Sequence, residues 1–473
     1  MDPHVLILGA GPAGLTAAYE LSRHRIRSTV LEADSVVGGL ARTEQYKGYY
    51  YDIGGHRFYT KITEVSRIWH EMMGDDFIAV PRLSRIYYHG RYFYYPLRPL
   101  NAFFGLGLRN SIWITLSYFR ARLFPRLPED SLEDYVSNRF GRRLYDIFFK
   151  TYTEKVWGIP CHEIRAEWAA QRIHRLSFSS AVTSALFKAR RQNIKSLIEK
   201  FEYPRLGPGM MWSRFKAFVE ARGSCVRLDA PVVRINREGG RISGVSVQPR
   251  GGGEETVRGT HVISTLALRD LIQKLDPPAP DDVLRAANGL RYRDFLTVLL
   301  IVKRANVFPD NWLYIHSPRV LVGRIQNFKN WSMDMVPDSG TTSLGLEYFV
   351  SEGDELWSMP DHELIALAQR ELQTLKLVEP HEVIDGTVKR VRKAYPVYDE
   401  TYRENLGVVR GYLDAFENIQ TVGRNGLHKY NNQDHSMLTA LLAARNLCGE
   451  RHDIWGVNSE MEYQEEMRLT TSD

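Results

Sequence analysis

The first segment with a clear pattern is His4 to Leu8, a run apolar after its histidine and too short for a helix, which reads as a buried strand. Gly9-Ala-Gly11-Pro-Ala-Gly14 follows, and the Ala, Leu and Glu content of Leu15 to Arg23 then predicts a helix. A second short run, Ser28 to Leu31, predicts another strand and ends at Glu32, 18 positions after Gly14. Strand, glycine turn, helix, strand and acid in this order make up a βαβ dinucleotide unit. In such a unit Gly9 permits the tight turn and Gly11 lets a pyrophosphate approach the backbone. Gly14 lets the helix pack on the strand, and Glu32 reaches a ribose diol.

Later elements are weaker in pattern. Glu202 to Met211 carries Gly207 and Gly209 and leads into a helix, Cys225 to Arg234 reads as a strand pair, and Thr260 to Thr265 as a strand ending in small residues. Asn418 to Gly423 is a strand running into a glycine turn, and the helix predicted over Ser436 to Asn446 would aim its positive N-terminus at a bound anion. Tyr145, Phe148, Phe149 and Tyr152 fall on one apolar helix face, for which core packing is the plain reading. The fold class expected is α/β, α+β overall. A Rossmann-type domain over residues 1–75 is completed by about 205–270 and 415–449. A largely helical segment (76–200) is inserted, an antiparallel-sheet substrate domain (271–414) follows, and a tail (450–473) ends the chain.

Charge narrows the ligand more than it defines the fold. A net charge of +6 and a pI near 9.0 favour an acidic ligand such as a phosphate ester. No basic run exceeds the short patch at Lys188 to Arg191, so nucleic acid is not expected. Cys161, Cys225 and Cys448 have no metal spacing, and no apolar leader precedes the first strand, so a reducing, cytoplasmic setting without metal is expected. Residues 101–126 interleave Arg109, Arg120, Arg122 and Arg126 with large apolar residues and hold no acid. The stretch is too interrupted to span a bilayer. A helix in peripheral contact with a membrane and a helical hairpin over a substrate cleft both fit it.

Directly after Glu32 comes Val36-Val-Gly38-Gly39-Leu-Ala-Arg42-Thr43. It resembles the GG-x-x-x-T loop of the FAD-dependent amine oxidase, protoporphyrinogen oxidase and phytoene desaturase superfamily. The resemblance implies FAD rather than NAD, with Gly38, Gly39 and Arg42 along its pyrophosphate and ribitol. Three stretches narrow the resemblance to the UDP-galactopyranose mutase family. They are Tyr51 to Thr60 with Gly54-Gly55-His56, Ser131 to Gly158 with its Lys155-Val-Trp157-Gly158 ending, and Gly423-Arg424-Asn-Gly426 with Tyr430 and Asp434. Ala169-Ala-Gln-Arg172-Ile is similar to that family's Ala-Arg-Ile segment, with Arg175 a competing candidate. Gly55, Tyr59 and the run Asn431-Asn432-Gln433 depart from the pattern.

That resemblance implies that Arg172 or Arg175, Arg424, Tyr430 and Tyr395 hold a diphosphate. It also implies that His56 and Gly55 lie at the flavin face, that Gly423 turns toward the cofactor, and that Trp157 and Tyr152 line the substrate cleft. Implied too is isomerisation of a nucleotide-linked sugar at reduced FAD. Two other classes remain open from sequence: an FAD-dependent oxidase or desaturase of an apolar or amine substrate, and a non-enzymatic binding protein like the GDP-dissociation inhibitors.

Overall fold

The computed structural model describes residues 4–95, 97, 99–166 and 200–458. His4–Leu8 is the middle of a five-stranded parallel sheet ordered Ile419–Thr421, His261–Ser264, His4–Leu8, Arg27–Leu31, Cys225–Arg227. Strands covered on both faces are apolar throughout rather than alternating, which is the pattern of Val5 to Leu8. The first helix, Pro12–Arg23, starts three residues before the apolar spacing suggested, because proline at the first helical turn needs no N–H partner and presets φ. Its small residues Ala13, Ala17 and Ala18 are buried in one cluster with Ala440, Ala443 and Ala444 of the helix Gln433–Leu447.

Cys225 to Arg234 is not a strand pair. Asp229 adopts a left-handed backbone (φ 50°) and Pro231 follows, so the chain turns there. Cys225–Arg227 stays in the parallel sheet, while Val232–Glu238 joins Arg241–Val247, Glu255–Arg258 and Leu275–Asp276 in a four-stranded sheet.

The second large sheet has seven strands in the order Val383–Pro396, Tyr292–Val302, Thr342–Val350, Arg324–Asn327, Trp312–Ile315, Ser84–Tyr88, Arg91–Tyr94. Two of its strands, Tyr292–Val302 from Asp294 on and Thr342–Val350, are buried on both faces. One face carries Leu296, Val298, Leu300, Leu344 and Leu346 against Leu364, Ala368 and Leu372 of the helix Asp361–Thr374. Each such side chain withdrawn from water contributes about 1.5–3 kcal/mol. The opposite face carries Phe295, Thr297, Arg324, Gln326, Glu347 and Phe349, two residues apart along their strands.

The last two strands of that sheet lie at the start of the segment 76–200, ahead of its helices. Tyr87, Tyr88, Tyr92, Phe93 and Tyr94 belong to a hairpin whose two-residue turn, His89-Gly90, has positive φ at both positions. Aromatic residues suit a pleated surface, and a turn of that hand matches the twist of its strands. Phe77–Pro81 is a strand too, paired with Lys200–Pro204. The helical part is Pro99–Leu106, Leu108–Leu123, Leu132–Phe140 and the run from Arg142 to Trp157, which widens into a π-helical turn over Asp146–Lys150. No helix among the described residues is long and apolar enough to cross a membrane.

Candidate active site

One cavity of about 1750 Å³ runs from the glycine turn of the parallel sheet to the polar face of the seven-stranded sheet. Ordinary small-molecule pockets are roughly 300–1,000 Å³, so there is room for a long cofactor and a second ligand.

At the parallel-sheet end, Gly9 has φ 102°, Gly11 precedes the helix without any side-chain cap, and Gly39 has φ 53°. A Cβ on Gly39 would lie 3.1 Å from the Gly11 Cα, so the two glycine loops face each other in close approach. A Cβ on Gly14 would lie 1.9 Å from the Gly9 carbonyl oxygen, the close helix–strand contact that requires glycine there. Glu32 accepts the Ala10 N–H at 2.7 Å and the Asp34 N–H at 3.0 Å. Burial pushes its pKa up while those two donors hold it down. Uncapped first-turn N–H groups, a cradle free of Cβ atoms and an acid at the second strand end together suit a phosphate-bearing nucleotide cofactor. Of the second glycine pair, Gly39 lines the cavity, whereas Gly38 donates its N–H to the Ala10 carbonyl at 2.9 Å. Arg42 does not reach the cavity. It is buried in ion pairs with Asp34 and, at 2.7 Å, Glu44, because two acids flank it along the adjoining turn and strand.

The far end is built from three elements. The loop after Ile419–Thr421 brings Gly423, Arg424 and Tyr430, the strand Val383–Pro396 brings Tyr395, and the helical run brings Tyr152 and Trp157. Tyr395 and Tyr430 stack at 5.5 Å and 16°, and the Arg424 guanidinium sits 5.4 and 5.0 Å from their ring centres. Its Nε and Nη1 donate to the carbonyls of Asn431 and Ala394 at 2.8 and 3.0 Å. Trp157, 3% exposed, meets both tyrosines at 6.2–6.5 Å, and Tyr152 stacks on His316 at 4.9 Å. Asn431, which departs from the mutase pattern, is structural here: its side chain donates to the Gly423 carbonyl at 3.1 Å and closes the loop.

Three residues of this site carry no local motif. Arg324 pairs with the fully buried Glu347 and donates to the Tyr395 hydroxyl at 3.1 Å, and Gln326 donates to Glu347 at 2.8 Å. Burial works against the Arg324 charge, and the Glu347 carboxylate outweighs it, holding the guanidinium protonated. The polar-apolar alternation of Arg324-Ile-Gln326 and a lone acid in the apolar strand Thr342–Val350 are the only signals they leave in the sequence. Among the described residues, buried Gln326 Oε1, Asn425 Oδ1 and Gln433 Oε1 have no hydrogen-bond partner, and all three residues line the cavity. Orphaned acceptors cost free energy unless a ligand or water meets them.

Between the two ends, Gly54-Gly55-His56 lies over the seven-stranded sheet, where a Cβ on Gly55 would fall 2.9 Å from Gln326 Nε2. Burial, then the positive fields of Arg424 and Arg324, push the His56 pKa down to about 3, so its ring is neutral at physiological pH. Arg172 and Arg175 lie outside the described residues. Among the described residues no group of three His, Cys, Asp or Glu side chains could hold a metal ion.

Comparison with known proteins agrees with this architecture. A structure of reduced UDP-galactopyranose mutase superposes with a TM-score of 0.83 over 98% of this chain and 97% of that one, at 21% identity. Putrescine oxidase bound to putrescine gives 0.62 over 95% and 100%, at 18% identity. An L-amino acid oxidase of Crotalus durissus cumanensis is 50% identical over 58 residues, which is 12% of the length of either protein. The family model for flavin-containing amine oxidoreductases matches residues 12–410. On that match the chain belongs to the flavin-containing amine oxidoreductase family and is a flavoenzyme of the fold shared by the mutase and the oxidases.

Proposed function

We propose that the protein binds FAD along the cavity, with its phosphates on the Gly11–Gly39 cradle and its adenosine ribose at Glu32, and isomerises a nucleotide-linked sugar. The observation that carries this reading is the pair of guanidinium groups, Arg324 and Arg424, that line the far end of the cavity beside Tyr395 and Tyr430. A site of that sign favours an anionic substrate over a cationic amine. When bound, the flavin supplies a nucleophilic N5 if reduced and a hydride acceptor at the same atom if oxidised. Arg324 and Arg424, with the hydroxyls of Tyr395 and Tyr430, hold a diphosphate and stabilise its charge as it leaves the sugar. Glu347 fixes the Arg324 guanidinium, and the Tyr395–Tyr430 stack fixes that of Arg424, so little reorganisation is needed. His56, neutral, contributes a ring nitrogen beside the flavin without adding charge.

A second reading, hydride removal from an apolar substrate, is favoured by the helical wall, where Ile114, Leu132, Phe140 and Leu144 line the same cavity. One experiment separates the two. The purified protein is examined by absorbance, reduced anaerobically with dithionite, and incubated with a panel of nucleotide sugars that are then separated by chromatography. Isomerised sugar that forms only after reduction is the expected result. Flavin bleaching by an apolar substrate, with oxygen consumed and no sugar converted, would establish the oxidase.

A further inference from the structure

Of the 14 large apolar side chains exposed among the described residues, eight lie between Leu108 and Leu127. On the helix Leu108–Leu123, at ~100° per residue, Leu108, Ile112, Leu116, Phe119 and Leu123 fall within an arc of about 80°. Trp113 extends that arc, and at 57% exposure it is a large ring left in water. Arg109 and Arg120 fall between the 80° arc and Trp113, and Arg122 borders the arc on its other side, all three exposed. The buried residues Ser111, Ile114 and Tyr118 point the opposite way, and Ser111, Ile114 and Thr115 line the cavity. The helix therefore has one face inside the site and one face outside it.

We propose that this outer face docks on the surface of an anionic lipid bilayer, with its apolar arc among the acyl chains and its arginines at headgroup phosphates. Length excludes spanning: 16 residues rise ~24 Å, short of the roughly 30 Å of a hydrocarbon core. The sign of the charge selects the occupant. No Asp or Glu occurs between Asp76 and Glu129, so cationic side chains alone border the apolar face within this segment. A wide apolar arc edged by arginines is the make-up of an interfacial helix, and its attraction to anionic lipid adds to its burial. The helix that seals the cavity on one side would then rest on the membrane with the other, which brings the site within reach of amphiphilic molecules held in the bilayer.

The test uses the whole protein and sedimentation with vesicles, in the absence of substrate, so its result is independent of the chemistry at the flavin. Phosphatidylcholine vesicles containing phosphatidylglycerol should bind the protein more tightly than phosphatidylcholine alone. Trp113→Glu with Phe119→Glu should weaken partitioning by about tenfold or more per residue, with flavin absorbance unchanged. Arg120→Gln with Arg122→Gln should remove the preference for phosphatidylglycerol. Absence of binding to the anionic vesicles overturns the proposal, as does equal binding by the double-glutamate variant. A native dimer that the same variant turns into a monomer, without vesicle binding, assigns the face to a second copy instead. If the acidic pair loses its flavin band, Trp113→Phe decides. Brominated-chain lipids should quench native fluorescence more than that of the variant, and equal quenching overturns the proposal.

Discussion

Gly11→Ala and Gly14→Ala add the same methyl group to the same turn and are expected to fail in opposite ways. At Gly14 the new Cβ would lie 1.9 Å from the Gly9 carbonyl oxygen and 3.3 Å from Ile7 Cγ2. Backbone cannot yield that far, so the helix must lift from the sheet, at a cost above about 3 kcal/mol. At Gly11 the backbone has φ −76°, which alanine adopts freely, and the nearest atom to the new Cβ is the Gly39 Cα at 3.8 Å. The apoprotein should therefore melt as the native one does, or be stabilised by up to about 1 kcal/mol through its less free unfolded chain. The methyl group nevertheless occupies the cradle between the glycine loops. Overpacking of about 1–3 kcal/mol against the cofactor phosphates weakens flavin binding by roughly 10- to 100-fold. The assay is a thermal melt of each flavin-stripped variant by circular dichroism, followed by flavin titration read as quenched flavin fluorescence. Native flavin affinity in Gly11→Ala would refute the placement of the phosphates, and a native melt in Gly14→Ala would refute the close helix–strand contact.

Other groups give sharper tests of electrostatics. Glu347→Gln leaves the Arg324 guanidinium without its buried counter-charge and should destabilise the protein by about 3–5 kcal/mol in urea unfolding; a loss below ~1 kcal/mol would mean that water reaches the pair. Asp52, buried and hydrogen-bonded by Tyr203 and, at 2.9 Å, by Thr43, has its pKa pushed up by burial from 3.8 to about 7. Its neutral form is the one the core favours, so that contribution is full below pH 3.8 and is lost as pH rises through 7. The stability of the native protein relative to Asp52→Asn should fall across that window by up to roughly 4 kcal/mol, and a flat difference would show the carboxyl already ionised. The His56 ring, with its pKa near 3, should show no proton chemical-shift titration between about pH 5 and 8; an inflection near the ordinary histidine value of 6.5 would refute its burial beside the two arginines.

The βαβ unit was legible because each of its demands is local: Gly9, Gly11, Gly14 and Glu32 lie within 24 consecutive residues and interact through one turn. Arg424 and Tyr430 were found for the same reason, sharing a loop that closes on itself through Asn431. Arg324, Gln326 and Glu347 were missed because they meet only through the register of two strands, which pairs Arg324 with Glu347. Nothing in either strand alone states that pairing. The hairpin at His89-Gly90 was missed through turn chemistry. Histidine adopts positive φ less readily than asparagine, so the dipeptide lacks the usual signal although it makes the same turn. Arg42 was drawn toward the cofactor by the loop resemblance, and the acids at Asp34 and Glu44 capture it instead.

The strand order of the parallel sheet also constrains how the protein is made. The strand His4–Leu8 leaves the ribosome well before its neighbours toward the far edge, since His261–Ser264 and Ile419–Thr421 are encoded hundreds of codons later. At roughly 5–20 residues per second, the interval before the last strand appears is of the order of 20–80 s. Until His261–Ser264 emerges one side of His4–Leu8 presents unpaired backbone, and from then until Ile419–Thr421 emerges the open edge is that of His261–Ser264, the condition in which strands aggregate or recruit chaperones. Cofactor capture is thereby deferred, since the turn at Gly423 lines the cavity and follows that last strand. Flavin supply during synthesis should accordingly alter the yield of folded protein only once Gly423 has emerged.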